Sequence, residues 1–318
     1  MEPAENASLG AHLAMQLLRE AGLPAGVVNV VYGPGREIGQ VALAHPDLAA
    51  VHFTGSTATF QNIWRSVGEN ITGYRNYPRL IGETGGKDFI LAHPSANLEA
   101  LAVACVRGAY EYQGQKCSAP SRLYVPRSLW PALEQRLIEL TQQVVVGDPT
   151  EPGTHVGAVI NAAQFRKHAE ALARARAKDL VVVGGNTDDS MGWFVDPTVL
   201  EVTDPHSWFM TEELFAPVIA AYVYDDIDWD DTIRLVDEST VYGLTGAVFG
   251  TDEDALAQAG DALRYTAGNF YVNDKPTGPV VGQQPFGGAR ASGTNDKVGT
   301  VWNLIRFASP RAVKRNSG

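Results

Sequence analysis

Along this chain the apolar residues switch repeatedly between a helical and a strand-like period, and few folds tolerate that pattern. Leu9, Leu13 and Leu17 recur four apart and predict a helix that stops near Gly22 and Pro24. Val27 to Tyr32 then reads as a buried strand closed by Gly33-Pro34-Gly35. A helical stretch around Ile38 to Leu43 leads to a strand at Ala49 to Phe53. A helix over about Thr57 to Val67 follows, then a short strand at Arg79 to Ile81 with Glu83 on its exit. Past Lys87 the alternation restarts. Asn97 is placed to cap a helix that runs to about Tyr112, and Leu133, Leu137, Leu140 and Val144 mark another stripe. Asn161 with Gln164 resembles a capping box before a helix from Phe165 to Lys178. Strands at Leu180 to Val183, Val218 to Tyr224, Ala247 to Phe249 and Asn269 to Val272 alternate with helices near Asp230 to Asp237 and Asp252 to Arg264. Such alternation predicts an α/β architecture built on parallel sheets.

With 318 residues, 45% of them apolar, the chain can bury a large core and is expected to hold two domains. The expected boundaries fall near Lys87 and near Asn273, which divides the chain into residues 1–86, 87–273 and a return segment over 274–318. The excess of 36 acidic over 25 basic side chains, a net charge of −11, argues against nucleic acid or an anionic membrane as partner. The two cysteines, Cys105 and Cys117, make no disulfide framework, so a reducing cytoplasm is the expected compartment. No apolar run approaches the ~20 residues of a membrane helix, and the first residues show no secretion signal. The seven histidines are scattered without ligand spacing, so no metal site is expected.

Two short segments carry chemistry. They are Glu83-Thr84-Gly85-Gly86-Lys87 and Gly114-Gln115-Lys116-Cys117-Ser118-Ala119. A cysteine on a Gly/Ser-bearing turn suits a thiol nucleophile, activated by loosened burial, nearby cations and backbone dipoles. A carboxylate held nearby can deprotonate the water that later frees an acyl group. The same residues also suit a buried structural cysteine and a solvated glutamate, and spacing alone leaves both readings open. Cys105, inside an apolar helix, reads as inert core. Phe53-Thr54-Gly55-Ser56 ends a strand and opens a helix, where unpaired N–H groups attract phosphate; it also fits an ordinary strand-to-helix turn. Gly33-Pro34-Gly35 with Gly39 misses the dinucleotide fingerprint, because its third glycine is one position late.

The segments around Glu83 and Cys117 resemble the two active-site signatures of the aldehyde dehydrogenase superfamily. The wider text, Tyr74 to Leu80 and Gly282 to Asp296, is similar to its 1-pyrroline-5-carboxylate dehydrogenase (L-glutamate γ-semialdehyde dehydrogenase) branch. The resemblance implies an aldehyde-dehydrogenase-like fold, with a partial Rossmann-type cofactor lobe and an α/β catalytic domain. It further implies NAD-dependent oxidation of L-glutamate γ-semialdehyde to L-glutamate in proline catabolism. Cys117 would form a thiohemiacetal whose collapse passes hydride to the nicotinamide, and Glu83 would activate water to hydrolyse the thioester. Gly55 and Ser56 match the pyrophosphate-binding turn and Glu5 a further cofactor position. Glu213 matches the residue that holds the nicotinamide ribose, with Phe215 beside the ring. Ser118, Gly278 and Phe286 match the substrate pocket, where Ser118 and the loop Thr277-Gly278-Pro279 anchor the carboxylate end. Pro279 departs from the pattern because it has no N–H to offer.

Members of the branch extend further on the N-terminal side, where an asparagine supplies a second oxyanion donor. Losing one such donor costs roughly 100- to 1000-fold in turnover. Residues 1–86 offer only three short strands, and an open parallel sheet leaves an unpaired edge. A homo-oligomer or a complementing N-terminal chain is therefore expected. Two further readings follow: a non-catalytic remnant that acts by binding a partner subunit, and a dehydrogenase of another aldehyde made possible by Pro279.

Overall fold

The computed structural model describes residues 1–280 and 282–316 and divides into two compact units. One comprises Met1–Val51 and Ala58–Leu80, the other His52–Thr57 and Ile81–Gly318. The expected boundary at 86/87 and this division fall on either side of Ile81 to Gly86, and the segment from 274 onward belongs to the larger unit. Val281, Ser317 and Gly318 of the expected return segment lie outside the described residues.

The chain opens with helices α1 (Ser8–Glu20) and α2 (Gly35–Ala44), strand β1 (Ala50–Thr54), helix α3 (Thr57–Glu69) and strand β2 (Arg79–Glu83). Strands β1 and β2 form a two-stranded sheet. The strand expected at Val27 to Tyr32 is absent: Val31 N–H donates to the Met1 carbonyl at 3.0 Å, and no strand lies alongside among the described residues to continue a ladder. Buried apolar residues in the smaller unit are Met15, Phe60, Val67 and Leu80. The Leu9, Leu13 and Leu17 stripe of α1 is instead exposed, at 73%, 50% and 66%.

The larger unit is built on β3 (Asp88–Ala92), β4 (Pro120–Pro126), β5 (Val181–Val183), β8 (Thr198–Val202), β9 (Val218–Tyr224), β11 (Thr245–Phe249) and β12 (Asn269–Val272). Short pairs come from β6 (Thr187–Asp188) with β7 (Phe194–Val195), and from β10 (Tyr242–Gly243) with β13 (Ala289–Arg290). The seven-stranded order is β12-β11-β3-β4-β9-β8-β5, parallel throughout except for the antiparallel edge pair β5 and β8. Parallel strands buried on both faces feed two cores by simple alternation. Phe89, Leu91 and Tyr124 join one, and Ile90, Leu123 and Val125 the other.

Helices α4 (Leu98–Tyr110) and α5 (Trp130–Gln142) cover the second face through Leu101, Cys105, Leu133 and Leu137. Helices α6 (Ala162–Arg176), α8 (Trp229–Glu238) and α9 (Glu253–Ala262) cover the first through Leu172, Ile233 and Ala259. The remaining helices are the short α7 (Trp208–Thr211) and α10 (Val301–Ile305). Helix starts follow their caps. Asn97 accepts from the Ala100 N–H at 3.0 Å, and Asn161 from the Gln164 N–H at 2.9 Å. The box at Asn161 is only half formed, because the Gln164 side-chain oxygen is buried with no partner among the described residues.

At the start of this sheet sits a buried cation. Arg122 donates from Nε to the Lys87 carbonyl at 2.6 Å and from Nη1 to Ser239 Oγ at 2.6 Å and Tyr124 Oη at 3.1 Å. Its guanidinium also stands 5.6 Å from the Phe89 ring centroid, where the ring face attracts the charge. Removing the arginine strands several buried acceptors, so Arg122→Leu is expected to lower unfolding free energy by about 2–4 kcal/mol in urea denaturation.

Candidate active site

Glu83 is the last residue of β2 and is 5% exposed. Its Oε2 accepts the Gly288 N–H at 3.0 Å, whereas Oε1 is buried with no partner among the described residues. Lys297 turns its ammonium to the carbonyls of Gly268 and Gly287, at 2.5 and 3.2 Å. Burial outweighs the Gly288 hydrogen bond and the Lys297 charge, and pushes the Glu83 carboxyl up to about 7. A carboxyl poised there is part acid and part base near neutrality, which suits proton transfer to and from water.

Cys117 follows a tight reversal in which Tyr112, Gln113 and Gly114 are all left-handed, with φ of 57, 59 and 63°. Two side-chain-bearing residues in that region store strain that the surrounding structure must hold. A Cβ on Gly114 would strike the Ala216 carbonyl, so the reversal is locked against the Phe215-Ala216-Pro217 segment. The Cys117 thiol is half-buried and pushed up to about 12, first by burial and then by the charges of Asp88, Glu83 and Glu213. The charges acting on it are therefore carboxylates, and the neighbouring Lys116 is paired with Glu111 at 2.9 Å. Resting Cys117 is a neutral thiol, and it needs a base before it can attack. Cys105 is buried in α4, and burial raises its thiol further.

The two signature segments meet through main chain. A Cβ on Gly86 would strike the Cys117 carbonyl oxygen, and one on Gly85 would strike the Glu213 carboxylate. Glu213 Oε1 accepts the Gly86 N–H at 2.9 Å. Helix α6 fixes the other side, where Lys167 Nζ donates to the Glu213 carbonyl at 2.9 Å. His168 Nε2 donates to the Leu214 carbonyl at 3.1 Å, and burial pushes its imidazole down to about 4. Phe215 is left-handed at φ 60°. Gly86, Lys116, Glu213 and Phe215 line a small pocket. Gly55 and Ser56 are exposed at the opening of α3, with the Gly55 N–H donating to the Glu83 carbonyl at 3.2 Å. Glu5 is exposed in a single turn of the smaller unit.

Ser118 is buried, and its hydroxyl stands 2.8 Å from the Thr277 hydroxyl, which brings the nucleophile turn to the loop that carries Gly278 and Pro279. Gly278 is left-handed at φ 78°, and Lys275 Nζ beneath it donates to the Thr277 carbonyl at 3.1 Å. Pro279 is half-buried. Phe286 is also half-buried and is held by paired main-chain bonds to Val298 at 3.2 and 2.7 Å. Sequence reasoning missed Asp88, Lys167, His168 and Gly288. The adjacent charges Lys87-Asp88 before an apolar run were a readable sign of buried polar groups, whereas nothing in α6 marked Lys167 or His168.

Residues 1–313 match the model of the aldehyde dehydrogenase family. The chain belongs to that family. The mitochondrial delta-1-pyrroline-5-carboxylate dehydrogenase of Bos taurus is 47% identical to it over 320 residues, covering 100% of this chain and 57% of its own length. Among solved structures, the delta-pyrroline-5-carboxylate dehydrogenase of Mycobacterium tuberculosis bound with NAD is 49% identical with a TM-score of 0.90, covering 97% of this chain and 57% of the other. The NAD-bound 1-pyrroline-5-carboxylate dehydrogenase from Thermus is 34% identical with a TM-score of 0.89, covering 96% and 58%. The chain therefore spans little more than half the length of these aldehyde dehydrogenase relatives.

The raised Glu83 carboxyl has a signed consequence for stability. Between the usual carboxylate range and about 7, the folded chain keeps a proton that the unfolded chain has lost, so stability falls as pH rises. Glu83→Gln removes this penalty. Its stability relative to the parent should grow by on the order of 2 kcal/mol from about pH 5 to about pH 8, read by urea denaturation at both.

Proposed function

We propose that this chain carries the catalytic machinery for NAD-dependent oxidation of L-glutamate γ-semialdehyde, the open form of 1-pyrroline-5-carboxylate, to L-glutamate. The observation that carries the reading is the junction of the Glu83 and Cys117 segments, where a base held near neutrality shares its electrostatic surroundings with a half-buried thiol. Cys117 Sγ adds to the aldehyde carbon after losing its proton, forming a thiohemiacetal. The Cys117 N–H is one donor for the oxygen that becomes negative. Oxidation leaves a thioester on Cys117, and Glu83 takes a proton from the water that hydrolyses it.

The chain's residues fit NAD. Gly55 and Ser56 at the exposed start of the 13-residue α3 suit a pyrophosphate. The half-buried Glu213 carboxylate, beside a small pocket, suits ribose hydroxyls. NAD when bound supplies the hydride acceptor. Glu5 is assigned to the same cofactor from the match to relatives. Ser118, Gly278 and Phe286 are assigned to the substrate, with Lys275 adding positive charge beneath the anchoring loop. The reading extends to a cytoplasmic enzyme that works with another chain, either a second copy or a separate N-terminal one; the exposed leucine stripe of α1 supports that contact.

A second reading, oxidation of another aldehyde, is favoured by Pro279, which cannot donate a main-chain hydrogen bond to a carboxylate. NADH formation from glutamate semialdehyde, set against propanal, separates the two. Cys117→Ser should lower turnover by roughly 10³-fold or more. Glu83→Gln should lose about 10²- to 10⁴-fold while still releasing up to one equivalent of NADH in the first turnover. A folded parent chain that binds NAD but oxidises no aldehyde would sink the proposal.

A further inference from the structure

Asp88 opens β3 at the edge where the signature segments meet, and it is 2% exposed. Its Oδ1 accepts the Thr245 N–H at 2.7 Å, while Oδ2 is buried with no partner among the described residues. Oδ2 does not point into empty core. A Cβ on Gly86 would lie 2.5 Å from it and nearer still to the Cys117 carbonyl oxygen, so both oxygens border the space beside Gly86. Two neighbouring acceptors gain nothing from one another, but a proton on Oδ2 turns one of them into a donor. Thr245 adds a second link, since its hydroxyl donates to the Ser118 carbonyl at 3.4 Å.

The charged groups around Asp88 are mixed. Arg122 and Lys87 favour its anion; Glu213 and, when ionised, Cys117 oppose it. Lys87 is itself fully buried and pushed down to about 7, so it gives only part of a charge near neutrality. Burial dominates and holds the Asp88 carboxyl up at about 8.

We propose that Asp88 is a positioning residue for the Cys117-Ser118 turn, a neutral carboxylic acid that bridges the first residue of β11 to the main chain at Cys117. When Asp88 ionises, the bridge is lost and its charge joins those of Glu83 and Glu213 against the thiolate. This rests on Cys117 being the nucleophile, yet its test needs neither aldehyde nor NAD. The full-length chain is alkylated with iodoacetamide across about pH 6 to pH 10, with the site of labelling read by mass spectrometry. The Cys117 rate is compared in the parent, Asp88→Asn and Asp88→Ser.

Asp88→Asn keeps shape and a donor but cannot ionise. Its rate relative to the parent should stay near one below about pH 7 and climb to roughly tenfold above about pH 9, the effect of removing one nearby like charge. Asp88→Ser should show the same climb. A ratio that stays flat with pH overturns the proposal. If neither variant folds, the parent carries the test through infrared spectroscopy with isotope-labelled aspartate. A protonated carboxylic acid band at about pH 6 that fades by about pH 9 supports it, and no such band overturns it. A climbing ratio in a chain that oxidises no aldehyde would remove the catalytic reading and leave Asp88 in its role. A flat ratio with turnover intact would remove Asp88 alone.

Discussion

The close approach of Gly85 and Gly86 to the Glu213 side chain and the Cys117 main chain sets the geometry of everything nearby. One glycine leaves room for the Glu213 carboxylate and the next for the Cys117 carbonyl; a methyl group on Gly86 would force the two segments apart, and one on Gly85 would displace the carboxylate. The approach is held in place from behind. Arg122 grips the Lys87 carbonyl from inside the sheet, and Glu213 grips the Gly86 N–H from the loop before β9. The Glu-Thr-Gly-Gly-Lys segment is thus a spacing device as much as a carrier of its glutamate. It brings a base and a thiol into one electrostatic neighbourhood through backbone contact, without a direct bond between them.

Much of the larger unit could be read from the residues because local rules and tertiary packing agree there. Val218–Tyr224 and Asn269–Val272 form strands where the pattern places them, and Asn97 and Asn161 cap the helices they precede. The failures have physical causes. Strand β4 carries Arg122 in its middle, and β3 begins with Asp88; a buried charge interrupts the apolar signal that marks a strand. At Val27 to Tyr32 the opposite happened, with a strand-like run that bonds to Met1 through Val31 and has no strand alongside among the described residues. The motifs drew attention to Glu83, Cys117 and Glu213, whose segments meet in the structure, and the Ser118 hydroxyl stands beside that of Thr277. Lys167 and His168 lie on a helix whose spacing speaks only of packing. Their carbonyl partners, Glu213 and Leu214, belong to a segment far along the chain.

The electrostatics of the site run against the simplest picture of a reactive cysteine. Three carboxyl groups, Glu83, Asp88 and Glu213, are all raised by burial, and each of them opposes a thiolate at Cys117. A thiol kept neutral in this way is a poor target for chance oxidation or alkylation. Glu83 and Cys117 are coupled through charge, because each ionised group opposes the ionisation of the other.

The bonds that finish this site join residues remote in sequence. Glu83 is tied to Gly288, Asp88 to Thr245, and Ser118 to Thr277, with separations of 205, 157 and 159 residues. Contacts of that span demand long loop closure and form late in folding. On a ribosome that releases the chain from its N-terminus, β3, β4 and β9 can pair and collapse while Glu83 still lacks its clamp. The central pairing of the sheet can thus precede the contact that completes the surroundings of Glu83.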